Sequence, residues 1–268
     1  MAKGRVAIIH SKNDDSFTAK KRLTELLKAA DYKIDQKHPD IVISIGGDGT
    51  FLSAFHVFDR QLTHIRFVGV HTGHLGFYTD WRDFELEELV SNLSNNKTTT
   101  VSYPLLEVQV KYRNQKNPQR FLALNEATIK RGNHTMVADV YIKDELFESF
   151  RGDGLSISTP TGSTAYNKSV GGAVLHPSIN AFQLAEIASL NNRVFRTLGS
   201  PIIISDKEWL RIDLEESSDY MITIDRFSIR HDDVVSISFR VAQERIHFAS
   251  YRHMRFWHRV KESFIGEV

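Results

Sequence analysis

The chain has 268 residues, with 34 lysines and arginines against 33 aspartates and glutamates, and no cysteine. At about 150 residues per domain that length predicts two domains, and 41% apolar with 25% charged residues suits a globular chain with a sizeable core. A formal charge of +1 gives no global pull toward nucleic acid or an acidic membrane, and the absence of cysteine excludes disulfides, thiol nucleophiles and thiolate metal sites.

No apolar run approaches the ~20 residues of a membrane span. The start, MAKGRVAIIHSKNDD, turns polar too early for a signal peptide. A cytoplasmic enzyme or binding protein is expected, with neither nucleic acid nor membrane as partner. Arg5 to His10, Ile41 to Ile45 and Ile65 to Val70 read as buried strands. Leu23, Leu26, Leu27 and Ala30, and later Leu86, Leu89, Val90 and Leu93, recur at helical spacing. Continuous apolar strands alternating with helices predict a parallel sheet covered on both faces. Residues 1–100 are therefore an α/β, Rossmann-like domain with a mostly parallel sheet.

The pattern changes after the polar stretch at 94–100. Leu106, Val108, Val110 and Tyr112 alternate with Glu107, Gln109 and Lys111, the period of a half-buried strand. Trp209 to Leu214, Met221 to Asp225 and Val235 to Val241 behave alike. The segment Ser178 to Leu190 reads as a helix within this region. Residues 101–250 form a mainly β domain, and the tail at 251–268 is expected to pack back on the first domain. The late basic residues Arg252, Arg255, Arg259 and Lys261 read mostly as a solvated face.

The segment Ile41 to Leu52, IVISIGGDGTFL, runs from a buried strand through Gly46, Gly47, Asp48 and Gly49 into a helix predicted over Thr50 to Phe58. Glycines let an anion approach backbone amides closely, and a helix N-terminus adds positive dipole. Gly46 and Gly47 are thus candidate phosphate contacts. Asp48 would repel a phosphate unless a metal intervenes or the carboxylate faces a hydroxyl nucleophile, and both fit phosphoryl transfer. The plainer alternative is a tight turn with Asp48 as helix cap.

Asn125 and Glu126 stand side by side among apolar neighbours in LALNEATIK, with hydrogen-bonding groups that suit a ribose diol or simply water at a strand end. Arg151 to Pro177 holds five glycines, two prolines and many hydroxyls, and reads largely as loop, ordered by Leu155, Ile157, Tyr166, Val170 and Leu175. Asp153 is a second carboxylate in a glycine turn. The pair His71 and His74 lacks a nearby third ligand and reads as loop packing near the site.

The set GGDGTFL, HTGHLGF, LNEATIK, RGDGLSISTPTGSTAYNKSVGGAVLHP and SPIIIS resembles the NAD kinases, especially the bacterial ones. GGDGT alone is shared with diacylglycerol, sphingosine and 6-phosphofructokinase-type kinases; the Asn-Glu pair followed by DGL…STPTGSTAY is more particular. The resemblance implies transfer of the γ-phosphoryl of ATP, with a divalent cation, expected to be Mg2+, to the 2′-hydroxyl of the adenosine ribose of NAD. It implies Asp48 as proton acceptor and Gly49 as its neighbour in the NAD pocket, with Phe77 and Tyr78 nearby. It implies that Asn125 and Glu126 hold the adenosine portion. Thr161, Thr164, Ala165, Tyr166, Asn167, Lys168 and Ser169 match the loop around the dinucleotide. Arg151 and Asp153 match positions that complete the site across subunits of a homo-oligomer, dimer or tetramer, and Ala188 matches another lining position. Arg226 stands where close relatives often carry His, and Arg is larger and permanently charged. A kinase for a lipid or other small alcohol and a non-enzymatic NAD(P) sensor are the alternatives.

Overall fold

The apolar runs of the first hundred residues become parallel strands whose apolar side chains are buried, where continuous hydrophobicity has somewhere to go. In the computed structural model, residues 3–73, 75–94, 101–215, 220–231, 233–249 and 256–266 are described. The predicted polar break at 95–100, His74, Arg252 and Arg255 lie outside them. The chain divides into two units, Met1–Ser102 with Arg245–Val268, and Tyr103–Glu244.

The first unit opens with β1 (Gly4–His10), α1 (Asp14–Ala29), β2 (Tyr32–Ile34), β3 (Ile41–Ile45), α2 (Asp48–Phe58), β4 (Arg66–His71), β5 (Trp81–Arg82) and α3 (Leu86–Ser94). Asn13 caps α1, its side chain accepting the Ser16 amide at 3.0 Å. The helix then buries Ser16, Ala19, Leu23 and Leu27 along one stripe. The strands order as β2-β1-β3-β4, each pairing parallel with its neighbour. The chain moves outward from β1 to β2, then returns to place β3 on the other side of β1. Ligands in such sheets bind beyond the carboxyl ends of the strands where the order reverses. The glycine turn leaves β3 at that point.

The strands of the second unit belong to two sheets and are β6 (Val101–Tyr112, from Tyr103 on), β7 (Gln119–Ala123), β8 (Glu126–Arg131), β9 (Met136–Ile142), β10 (Glu145–Gly152), β11 (Gly154–Ser158), β12 (Ala181–Ile187), β13 (Ile202–Ser205), β14 (Leu210–Leu214), β15 (Tyr220–Ile224), β16 (Phe227–His231) and β17 (Val234–Phe248, as far as Glu244). One sheet runs β13-β12-β11-β8-β15-β16, antiparallel throughout. Strands β10, β9, β14, β17, β6 and β7 pair in the other. Val108, Ile129, Ile157, Leu184, Ile222 and Ile237 meet in one core. A short helix, α4 (Tyr166–Ser169), follows a helical turn at Thr161–Thr164. The last helix of the chain, α5 (Phe256–Phe264), belongs to the first unit.

Two expectations are corrected. Of the helix expected over Ser178 to Leu190, Ala181 to Ile187 is instead strand β12, with Ala181, Phe182, Gln183, Leu184 and Ala185 all buried, and the rest is not helical. Its neighbours β11 and β13 supply backbone partners on both edges, and that pairing overrides the weak helical bias of Ala, Gln, Leu and Glu. The stretch 151–177 is also less loop than expected, since β11 is a fully buried central strand between β8 and β12.

Candidate functional site

Gly46 has a φ of 144°, and an added Cβ there would meet Thr50 Oγ1 at 2.5 Å. No other residue fits that turn without strain. Gly47 and Gly49 differ: a Cβ at either would meet nothing within 4 Å. Chain packing therefore leaves open space beside both, which suits close approach of a ligand to the backbone. The helix begins at Asp48, two residues earlier than expected, so Asp48 occupies the first turn of α2, where the dipole favours a carboxylate.

Asp48 is half-buried, and its carboxylate is fixed from the opposite side of the turn. Phe77 N–H donates to Oδ2 at 2.8 Å and Tyr78 N–H to Oδ1 at 3.0 Å. The contribution of Phe77 and Tyr78 to Asp48 is thus backbone. The Tyr78 ring is buried, stacked on Phe51 with centroids 5.0 Å apart. Gly76 admits the carboxylate, for a Cβ there would overlap Asp48 Oδ1. His71 is buried, its Nδ1 2.8 Å from the Gly73 carbonyl oxygen.

In the second unit the strand-like segment at 122–130 breaks into β7 and β8, and Asn125 and Glu126 stand at the break, 9% and 8% exposed. What holds this corner is Asp225, in the turn between β15 and β16 with a φ of 49°. Its carboxylate accepts the amides of Leu124 at 2.9 Å, Asn125 at 2.7 Å and Glu126 at 3.2 Å. Its own amide donates to the Glu126 carbonyl at 2.9 Å. Burial pushes the Glu126 carboxyl up to about 8, the Asp225 charge adds to this, and a hydrogen bond from the Tyr166 amide opposes it. Glu126 Oε2, Thr161 Oγ1 and Ser158 Oγ are buried without hydrogen-bond partners among the described residues. Buried polar atoms are normally paired, and these three keep hydrogen-bonding capacity that a ligand's hydroxyls could take up.

The hydroxyl-rich loop is tied to the same corner. Thr159 donates from its amide to Asn125 O at 2.8 Å and from its hydroxyl to Leu124 O at 2.7 Å. Gly162 lies so close to the Asn125 backbone that a Cβ would overlap it. Asn167 is fully buried, with its amide donating to the Ser163 and Ala173 carbonyls, and serves the loop's own shape. Thr164 and Ala165 continue the chain to Tyr166, whose hydroxyl meets the Lys130 ammonium, while Lys168 and Ser169 are exposed.

Arg151, Asp153 and Ala188 form a separate group. Gly154 pairs with Lys130 and Ser158 with Glu126, so these three flank one end of β11 while Asn125 and Glu126 sit at the other. Four residue steps along a strand separate those ends by about 13 Å. The Arg151 guanidinium lies over the Phe195 ring at 4.2 Å, and Asp153 and Ala188 are exposed. Arg226 follows Asp225 in its turn and is exposed.

Asp225 and Lys130 were missed from sequence. Asp225 carried a signal, an aspartate in a short polar break between two apolar runs, where αL geometry favours Asp or Asn. Lys130 carried none beyond its place on a strand. Among the described residues, no three His, Asp or Glu side chains gather to hold a metal, and no helix is long and apolar enough to cross a membrane.

The profile of the ATP-NAD kinase N-terminal domain matches residues 2–98, and that of the ATP-NAD kinase C-terminal domain matches 124–248. The chain is 65% identical over 263 residues to the NAD kinase of Enterococcus faecalis, covering 98% of this chain and 99% of the relative. It is 56% identical over 262 residues to the NAD kinase of Lacticaseibacillus paracasei, covering 98% of each. Its fold is similar to that of yeast NADH kinase complexed with NADH, with a TM-score of 0.85 at 20% identity, over 98% of this chain and 87% of that one. An Archaeoglobus fulgidus NAD kinase in complex with ATP gives 0.77 at 22% identity, over 96% and 98%.

Proposed function

The chain belongs to the NAD kinase family, and on that premise we propose that it transfers the γ-phosphoryl of ATP to the 2′-hydroxyl of the adenosine ribose of NAD, with Asp48 accepting the hydroxyl proton. The observation that carries this reading is the Asp48 carboxylate, pinned by two amides in a glycine turn beyond β3. A ribose hydroxyl is a weak acid, so Asp48 orients it and takes its proton as the O–P bond forms and ADP leaves. Gly46 and Gly47 receive the donor phosphates, and Gly49 lies beside the bound nucleotide.

Asn125 and Glu126 hold the adenosine portion. With its carboxyl pushed up to about 8, Glu126 is largely protonated at neutral pH and can donate as well as accept. Thr161, Thr164, Ala165 and Tyr166 line the dinucleotide, with Lys168 and Ser169 at the outer edge. Arg226 faces the new 2′-phosphate, an assignment its permanent charge supports. A divalent cation, Mg2+, neutralises triphosphate charge when bound. Magnesium keeps several waters and takes phosphate oxygens, so the triphosphate of ATP would supply most of its ligands. The group at the far end of β11, Arg151, Asp153 and Ala188, completes the site of a second copy in a homo-oligomer, and the enzyme works in the cytoplasm.

Asp48→Asn tests the mechanism: NADP formation from NAD and ATP falls by about 10^3-fold while the fold is kept, within the range for losing a proton acceptor. Near-normal turnover would remove Asp48 from the reaction. Sphingosine and diacylglycerol, offered in place of NAD, are expected to accept no phosphate.

A further inference from the structure

The basic residues near the C-terminus read from sequence as a solvated face, and Arg259 is a correction to that: it is 3% exposed. Burying a guanidinium is strongly unfavourable without good partners. Among the described residues, its hydrogen-bond and ion-pair partners come from one short segment, and the Asp48 and Glu262 carboxylates act on it as nearby charges. Arg259 Nη1 donates to Phe77 O at 2.6 Å and lies 3.4 Å from Gly76 O, and the guanidinium pairs with the buried carboxylate of Asp80. Phe264, also on α5, lies against Phe77 with ring centroids 5.9 Å apart.

The same two peptide units touch Asp48 from their other side. The unit joining Gly76 to Phe77 offers its carbonyl to Arg259 and its N–H to Asp48 Oδ2. The unit joining Phe77 to Tyr78 offers its carbonyl to Arg259 and its N–H to Asp48 Oδ1. In a planar trans peptide the C=O and N–H point in opposite directions, so each unit is a rigid spacer between guanidinium and carboxylate. A cation on the carbonyl polarises the peptide and strengthens the hydrogen bond its N–H donates. Gly76 N–H, donating to Thr79 Oγ1 at 3.1 Å, fixes the start of the segment.

We propose that Arg259 is a positioning residue for Asp48, holding the 76–78 peptides so that their amides aim the carboxylate at the reacting hydroxyl. This rests on Asp48 being the proton acceptor. Asp80 keeps the guanidinium in place, and α5 thereby becomes part of the catalytic apparatus without touching substrate.

A double-mutant cycle decides it. Arg259→Gln lowers kcat by about 30-fold, with KM for NAD changed less than about threefold, since a displacement of about 1 Å costs up to 10^2 in rate. Arg259→Lys, which keeps the buried charge beside Asp80, recovers part of that loss. In the Asp48→Asn background, Arg259→Gln has an effect below about twofold, because residues acting through one group are not additive. An equal loss in both backgrounds overturns the proposal, as does an unchanged kcat in Arg259→Gln. If Arg259→Gln does not fold, the same cycle is run with Arg259→Lys. Near-normal turnover by Asp48→Asn alone marks failure of the acceptor reading instead.

Discussion

Glu126 gives the sharpest test of the second unit. Its carboxyl is ordinary at 4.5 in an unfolded chain and is pushed up to about 8 in the fold by burial first and by the Asp225 charge second. A raised carboxyl binds its proton more tightly folded than unfolded, so folding is penalised once solvent removes that proton. The corresponding stability is fully present below pH 4.5 and is lost as pH rises toward 8. Glu126→Gln keeps the shape and cannot ionise. Relative to that variant, the natural protein loses about 3 kcal/mol by pH 7 and about 5 kcal/mol above pH 8, at 1.36 kcal/mol per unit. For a chain of this size 3 kcal/mol corresponds to about 9 °C in Tm. Melting both proteins by calorimetry from pH 4 to 9, without ligand, cancels the titrating groups that are not coupled to Glu126. The two melting curves should coincide near pH 4 and separate steadily to pH 8, with the Gln variant the more stable. A gap that does not change with pH refutes the reasoning, because a fixed difference is packing and not a buried proton.

Three further outcomes follow from contacts at the site. Gly76→Ala places a methyl against Asp48 Oδ1, and kcat should fall about 10- to 100-fold with a Tm loss of only a few degrees; an unaltered kcat shows that the carboxylate need not stay where it is. Asp225→Ala leaves the Leu124, Asn125 and Glu126 amides without their acceptor, at about 1–3 kcal/mol each where buried. Denaturant melts should show a large stability loss, NAD titration a weakened Kd, and Asp225→Asn a smaller loss with a reduced pH dependence from Glu126. Gly162→Ala pushes the hydroxyl loop off the Asn125 backbone, so KM for NAD should rise about tenfold or more before kcat changes.

Several parts of the molecule were legible in the chain itself. Continuous apolar runs such as Ile41–Ile45 fixed buried strands, and the stripe of Leu23 and Leu27 fixed a helix, since both periods are local properties of a few residues. Gly46 and Asp48 announced a turn that needs a glycine and carries a carboxylate, because φ preference and charge are intrinsic to those residues. Their order with Asn125, Glu126 and the Thr161–Tyr166 loop marked the family, and whole-length likeness bears that out.

Other matters were decided only by tertiary structure. Ser178 to Leu190 carries apolar spacing that suits a helix, yet two flanking strands capture its backbone as β12, and no local property reveals such partners. Asp225 lies about a hundred residues from the amides it accepts, and Arg259 about 180 from the carbonyls it braces. Neither relation leaves a trace in spacing. A sequence states which groups are available for chemistry; which buried charge holds which peptide in place depends on contacts that exist only once the chain has closed on itself.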